Sequence, residues 1–474
     1  MSKRLLVVTL VLALLIPLLA VSAQDQPVVT VTWWATERGR DTAATRDMHF
    51  TLARTFEESH PNIRVALSMY PSRAFATRVL TAIAAGEGPD VFYHYFSPDI
   101  APQGFLEDLT PYIEASGAAA NWFPSGVNRG VYDGHTYAVP RDAVSGFIAY
   151  NKDLFDAAGL PYPEDGWTIA DYRALANRAH RPRQRHLRRR RDRRRRGLHA
   201  VVTVLVQPRR RARASPDGRD VVGYMDSPET VAAMTWCLEL VTEDQVTAPV
   251  GCKISSAKLV FLSGKVAMQS ISDWELAAIS EQATFNWGVV APPRFNEEVR
   301  GHPVDGFLHV LPVERQRSQR KPRGRPINWL TGPEAQRIAA EAGVWSPNGP
   351  AIWEELGWDE DPIRGVSYNQ AVNSERVPNY LRSQYFWDCV AGPLSDVRVR
   401  WIEGGERDVA TMMAEAPLKH RRAWTTTTAN NPRFTFCGVV GGPAAAHNAV
   451  HIPEWIRGVP ARLRQLKAAP CLKG

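Results

Sequence analysis

Residues 47–69 read DMHFTLARTFEESHPNIRVALSM, and two different periods stand side by side in them. Phe50, Ala53 and Phe56 recur at the spacing of a helix, whereas Ile63, Val65, Leu67 and Met69 alternate as in a strand. His60-Pro61-Asn62 separates the two, because proline has no N–H to continue the helical ladder. Upstream, Val29, Val31 and Trp33 alternate too, so the chain begins its ordered part as strand, helix, strand.

The same order recurs downstream. A helix is predicted around Phe75, Val79, Leu80 and Ile83, closed by Gly86-Glu87-Gly88-Pro89, and Asp90-Val91-Phe92-Tyr93 starts another short strand. A strand over Gly146 to Tyr150 leads into a helix over Lys152 to Ala158 and the turn Gly159-Leu160-Pro161. Thr168 then caps a further helix, with Asp171 three residues on. After Ser227-Pro228-Glu229, Val231, Met234, Leu238 and Val241 mark one helical face. Alternating strands and helices predict an α/β fold with parallel layers.

The N-terminus has the layout of a secretory signal: Lys3 and Arg4, an apolar run from Leu5 to Ala20 containing Pro17, then Val21-Ser22-Ala23 before Gln24-Asp25-Gln26. The run is too short for a spanning helix, so cleavage near Ala23 and a periplasmic or extracellular location are expected. At 474 residues and 44% hydrophobic content the chain can bury two domain cores. Its five cysteines show no metal-ligand spacing; a Cys237 to Cys252 bridge is open to an exported chain, and buried thiols are the favoured reading.

The net charge of +8 comes from one place. Residues 180–213 hold fifteen arginines and a single acid, Asp192, and the remainder of the chain is acidic on balance. Aromatic residues gather where strands end: Trp33 and Trp34, then Tyr93, Tyr95 and Phe96, and Trp274 after Val266 to Ser270. In open α/β sheets ligands bind beyond the carboxyl ends of strands, and the apolar face of a sugar ring stacks on Trp or Tyr.

Seven motifs in order then carry a resemblance. They are Val31-Thr32-Trp33-Trp34, Gly88-Pro89-Asp90-Val91, Gly104-Phe105-Leu106-Glu107-Asp108-Leu109, and Tyr150-Asn151-Lys152-Asp153-Leu154-Phe155. Gly264-Lys265-Val266-Ala267-Met268 with Trp274 follows, then Trp287-Gly288-Val289 with Pro292-Pro293, and Trp329-Leu330-Thr331-Gly332-Pro333-Glu334-Ala335-Gln336. The chain resembles, over about residues 28–415 with two gaps, the carbohydrate-type extracellular solute-binding proteins of ABC importers, the family that includes maltose-binding protein.

The resemblance implies a two-lobed periplasmic-binding-protein fold of type II, with the ligand in a cleft between lobes that close around it. It divides the chain into a signal peptide (1–23), a first lobe (24–140 plus 288–335) and a second lobe (141–287 plus 336–416), with crossings near residues 141 and 287. Trp34 and Tyr95 would serve the cleft from the first lobe, Asp142 and Trp274 from the second, and Asp305 from a strand end. Trp345-Ser346-Pro347 resembles the family's turn before its late helices, and Tyr385, Phe386 and Trp387 a late aromatic platform. A small carbohydrate ligand and the permease subunits of an importer are the implied partners of a monomer that needs no cofactor, metal or catalytic residue.

Residues 180–214, 312–325 and 417–474 do not fit this pattern. The Arg-rich run could bind polyanions by counterion release, but it lacks the interleaved aromatics or folded motif of nucleic-acid readers, so no specific nucleic acid is expected. Its abrupt edges favour a stretch translated out of frame from GC-rich coding sequence. The rival from another class is an extracellular carbohydrate-active hydrolase, which needs only two acids; no GxSxG, HExxH or P-loop is present.

Overall fold

A computed structural model describes residues 27–37, 42–71, 75, 78–79, 81–83, 85–93, 106–124, 126, 130–180, 223–246, 257–294, 325–373 and 392–415. The signal-like N-terminus, the tail from 416, Tyr95, Cys252, Asp305, Tyr385 to Trp387 and all of the Arg-rich run except His180 lie outside these residues.

The opening segment folds as β1 (Val29–Glu37), α1 (Thr42–Ser59), β2 (Ile63–Pro71) and β3 (Val91–Phe92). β1 is central and pairs in parallel with both neighbours, Val29 opposite Ile63 and Trp33 opposite Val91. Asp90 fixes the start of β3: its Oδ2 accepts from the Thr32 amide and hydroxyl, both at 2.7 Å. Along α1 the buried stripe is Met48, His49, Leu52, Ala53 and Phe56. Phe50, expected on that face, is 53% exposed. At about 100° per residue it sits roughly 130° from the centre of the stripe, and the stripe, not the Phe50 spacing, faces β1.

The second sheet has a different hand of pairing. β4 (Gly146–Asn151) leads directly into α2 (Lys152–Ala158), followed by α3 (Ile169–His180), α4 (Pro228–Thr242), β5 (Met268–Ser272), α5 (Asp273–Gln282) and β6 (Trp287–Val290). Fully buried β4 lies between β5 and β6 and runs antiparallel to both, which corrects the expectation of parallel layers for this half. The expected Thr168 cap forms, with Asp171 closing a reciprocal pair, and Asn151 Oδ1 also caps α2 by accepting from the Leu154 amide. On α4, Leu238 alone of the expected face is fully buried; Ala233, Trp236 and Leu240 face the α3 core, and α10, defined below, packs on another side. A helix covered from two sides shows no single apolar stripe.

β6 and the Thr168–Arg294 bridge keep residues 287–294 with the second sheet. Helices α6 (Arg325–Leu330) and α7 (Pro333–Glu341) pack Ile327, Leu330, Ala335 and Ala339 into the same core as β1 and α1, with Trp345 beside them. The division at 287/288 and 335/336 is therefore displaced: the chain is still with the second sheet at Arg294 and with the first from Ile327 to Trp345. Strand pairing and alanine-mediated close packing decide this, and motif order does not reveal it. Helices α8 (Pro350–Glu355), α9 (Arg364–Val372) and α10 (Gly392–Ile402) follow. α10 docks on α4, where Trp401 Nε1 donates to Thr242 Oγ1. No helix among the described residues is long and apolar enough to cross a membrane.

Gly349 marks where the α8 approach meets residues 121–122. A Cβ built there would sit 1.7 Å from the Asn121 carbonyl oxygen, a backbone atom that cannot swing aside. Gly349→Ala is expected to cost about 1–3 kcal/mol in chemical denaturation, by forcing these two segments apart.

Candidate functional site

The crossing from the first body to the second, Pro140 to Ser145, is held by buried amides. Gln336 Nε2 donates to the carbonyls of Arg141 and Leu330, both at 2.9 Å, and its Oε1 accepts from the Asn348 amide at 2.9 Å. Asn348 Nδ2 in turn donates to the Pro140 carbonyl at 2.9 Å. A buried amide with its donors and acceptor engaged is rigid, because any other rotamer leaves polar atoms unpaired.

Arg141 points between two rings, its guanidinium 4.1 Å from the Tyr93 centroid and 4.6 Å from that of Trp345. Its Nη2 lies 2.6 Å from Asp142 Oδ2, and both side chains are 3% exposed. This is a desolvated ion pair stacked on aromatic faces. Behind Trp345 lies His49, which touches Trp33 on its other side, at centroid distances of 5.5 and 5.3 Å. The His49 Nδ1–H donates to the Thr45 carbonyl at 2.6 Å. Burial pushes the imidazole down to about 3, against the pull of that hydrogen bond and with a smaller push from Arg141.

Beyond the ion pair, Asp142, Asp273, Trp345, Ser346, Trp358 and Arg364 line a small concavity that opens to solvent. Arg364 covers the Trp358 ring at 4.1 Å. The wall is drawn from the crossing segment, from the β5–α5 junction and from the 343–346 turn beside the first core. Acid, hydroxyl and indole groups converging on one opening can accept from and stack on a hydroxylated solute.

Of the expected site residues, Asp142 is in this wall. Trp274 follows Asp273 as the second residue of α5, which brings its backbone to the same edge; its side chain is not among those described. Trp34 ends up one layer away, half-buried and packed on Tyr70 with centroids 4.9 Å apart, in a cluster with Phe75, Tyr93 and Tyr137. Tyr95 and Asp305 fall outside the described residues. Sequence reasoning passed over Arg141, Asp273, Trp358, Arg364 and His49. Only Arg141 carried a local signal, standing next to the expected acid.

The profile of the bacterial extracellular solute-binding protein family matches residues 51–362. The chain belongs to this family. Among solved structures, the sugar-binding protein MalE of Xanthomonas citri has a TM-score of 0.65 at 19% identity, over 83% of this chain and 99% of that one. That likeness establishes the two-lobed α/β architecture with a cleft between lobes, and the two sheets of this solute-binding protein are the cores of those lobes. The mannitol-binding protein of Pseudomonas aeruginosa is 32% identical over 132 residues, 27% of this chain and 30% of that protein. The melibiose/raffinose/stachyose-binding protein MelE of Bacillus subtilis is 25% identical over 152 residues, 30% of this chain and 32% of that one. The solute-binding protein thus matches under a third of the length of these curated relatives.

Proposed function

We propose that the protein captures a sugar, oligosaccharide or sugar alcohol outside the cytoplasmic membrane and delivers it, as a monomer, to the permease of an ABC importer. The observation that carries this is the Asp142–Arg141 pair, stacked on Tyr93 and Trp345 at the edge of a concavity between the two cores. Arg141 neutralises the carboxylate and holds its orientation, so Asp142 can accept hydroxyl protons without repelling a neutral solute. Trp34, Tyr95, Trp274 and Asp305 complete the proposed set, the aromatics as stacking platforms and Asp305 as a second acceptor. The names of the mannitol, MelE and MalE relatives support a neutral, hydroxyl-rich ligand.

Thermal shift and calorimetry against maltose, raffinose and mannitol, with chromatography of the mixture, test the reading. Saturable binding without new products is the expected result; turnover would instead support a hydrolase. Trp34→Ala is expected to weaken the binding roughly tenfold while leaving the melting temperature of the free protein within a few degrees, as the loss of one stacked ring implies.

A further inference from the structure

Asp273 joins more elements than any role in ligand contact requires. Its Oδ2 accepts from the Ser145 amide at 2.7 Å, while its own amide donates to the Ser145 carbonyl at 3.1 Å. Ser367 Oγ, on α9, lies 3.0 Å from both carboxylate oxygens. Ser145 Oγ closes the ring by donating to the Ser367 carbonyl at 3.4 Å. One carboxylate therefore ties the start of β4, the first turn of α5 and α9, and it also lines the concavity with Asp142 and Ser346.

We propose that Asp273 is a positioning residue whose buried carboxyl holds the lobe-crossing segment and α9 around the cleft, so that losing its proton slackens this joint and weakens solute binding. The inference rests on the solute-binding reading above. The neutral acid still accepts from the Ser145 amide and can give its own O–H to Ser367 Oγ, whereas the charged form is better solvated once the joint opens to water, so ionisation favours the open joint.

The surroundings put that change within the neutral range. Burial raises the Asp273 carboxyl to about 7; the Ser145, Ser367 and Ser346 donors oppose the rise and the nearby Asp142 charge adds to it. The charged groups around the joint are Asp142 and Arg141 on the crossing segment, Arg364 on α9 and Glu275 on α5, whose carboxylate accepts from the Ser272 amide. The 343–346 turn adds no titratable group. A solute filling the concavity replaces water donors with its own hydroxyls, so the preorganised joint, and not fresh desolvation, sets the direction of the pH effect.

Amide exchange of the ligand-free full chain, corrected for intrinsic rates, tests the joint directly. Between pH 6 and 8 the ionised share of a group titrating near 7 rises about tenfold, and protection at Ser145 should fall by the same factor while the β1–β2 pair stays constant. Asp273→Asn should show the same protection at both pH values. Ser367→Ala, which removes one donor to the carboxylate, should move the midpoint upward by about one unit, and serves alone if Asp273→Asn does not fold. Constant or rising wild-type protection at Ser145, a wild-type fall retained in Asp273→Asn, or an unmoved midpoint in Ser367→Ala overturns the proposal. For maltose, affinity should fall about tenfold over the same pH range in the wild type and stay flat in Asp273→Asn; a flat wild-type profile also overturns it. Failure of every sugar to bind defeats the carbohydrate reading alone, since the exchange result does not depend on it.

Discussion

Asp142→Ala is expected to abolish measurable sugar binding and to destabilise the free protein by about 3–5 kcal/mol, because it strands Arg141 in the interior without its counter-charge. The two effects separate in a double replacement. Arg141→Met with Asp142→Leu removes both charges and keeps most of the packed volume, so stability is expected to return to within about 1–2 kcal/mol of wild type while binding stays absent. Denaturant titration reads the first quantity and calorimetry the second. Binding that survives in the double variant would show that the pair serves the fold and not the ligand.

A second large effect concerns two buried groups whose titrations oppose each other. His49 is held at about 3 in the folded chain against 6.5 when unfolded, so the unfolded state binds more protons between those values. Its contribution is therefore lost as pH falls from 6.5 towards 3, by about 5 kcal/mol in all. Asp273 is raised from 3.8 to about 7, so the folded state binds the extra proton and stability falls as pH rises through that window, by a similar amount. Between about pH 4 and 6.5 the two one-proton slopes cancel, and the wild type should look insensitive to pH on their account. His49→Gln is expected to expose the Asp273 slope, with stability falling steadily from pH 4 to 7. Asp273→Asn should expose the opposite slope, with stability falling steadily from pH 6.5 to 4. Denaturation midpoints across this range decide the matter, and parallel flat profiles in both variants would contradict it.

Much of the first lobe was legible because its signals are local. Alternation in residues 63–69 and the Pro61 break define β2 and the end of α1 without reference to anything distant. The same holds for the Asn151 and Thr168 caps, where donor and acceptor are three residues apart. Phe50 and the α4 face misled for a related reason: helical spacing gives the period of a stripe and not which neighbour covers it. Asp142, which lines the concavity, drew attention in the sequence because it follows Pro140-Arg141, where the resemblance places an acid. Asp273 has no such mark, since a carboxylate becomes a joint only when Ser145 and Ser367 are brought to it from 128 residues before and 94 after.

By itself, the sequence determined the α/β class, the first strand–helix–strand unit, the resemblance to solute-binding proteins and the importance of the crossing near residue 141. Only the tertiary structure decided that the second sheet is antiparallel, that residues 287–294 stay with it, and that Asp142 is locked to Arg141 beside Asp273. The physical reason is range. Periodicity and capping are fixed by neighbours within a few residues, whereas the partners of β4 and the bonds to Asp273 come from segments about a hundred or more residues apart, which meet only when the chain folds.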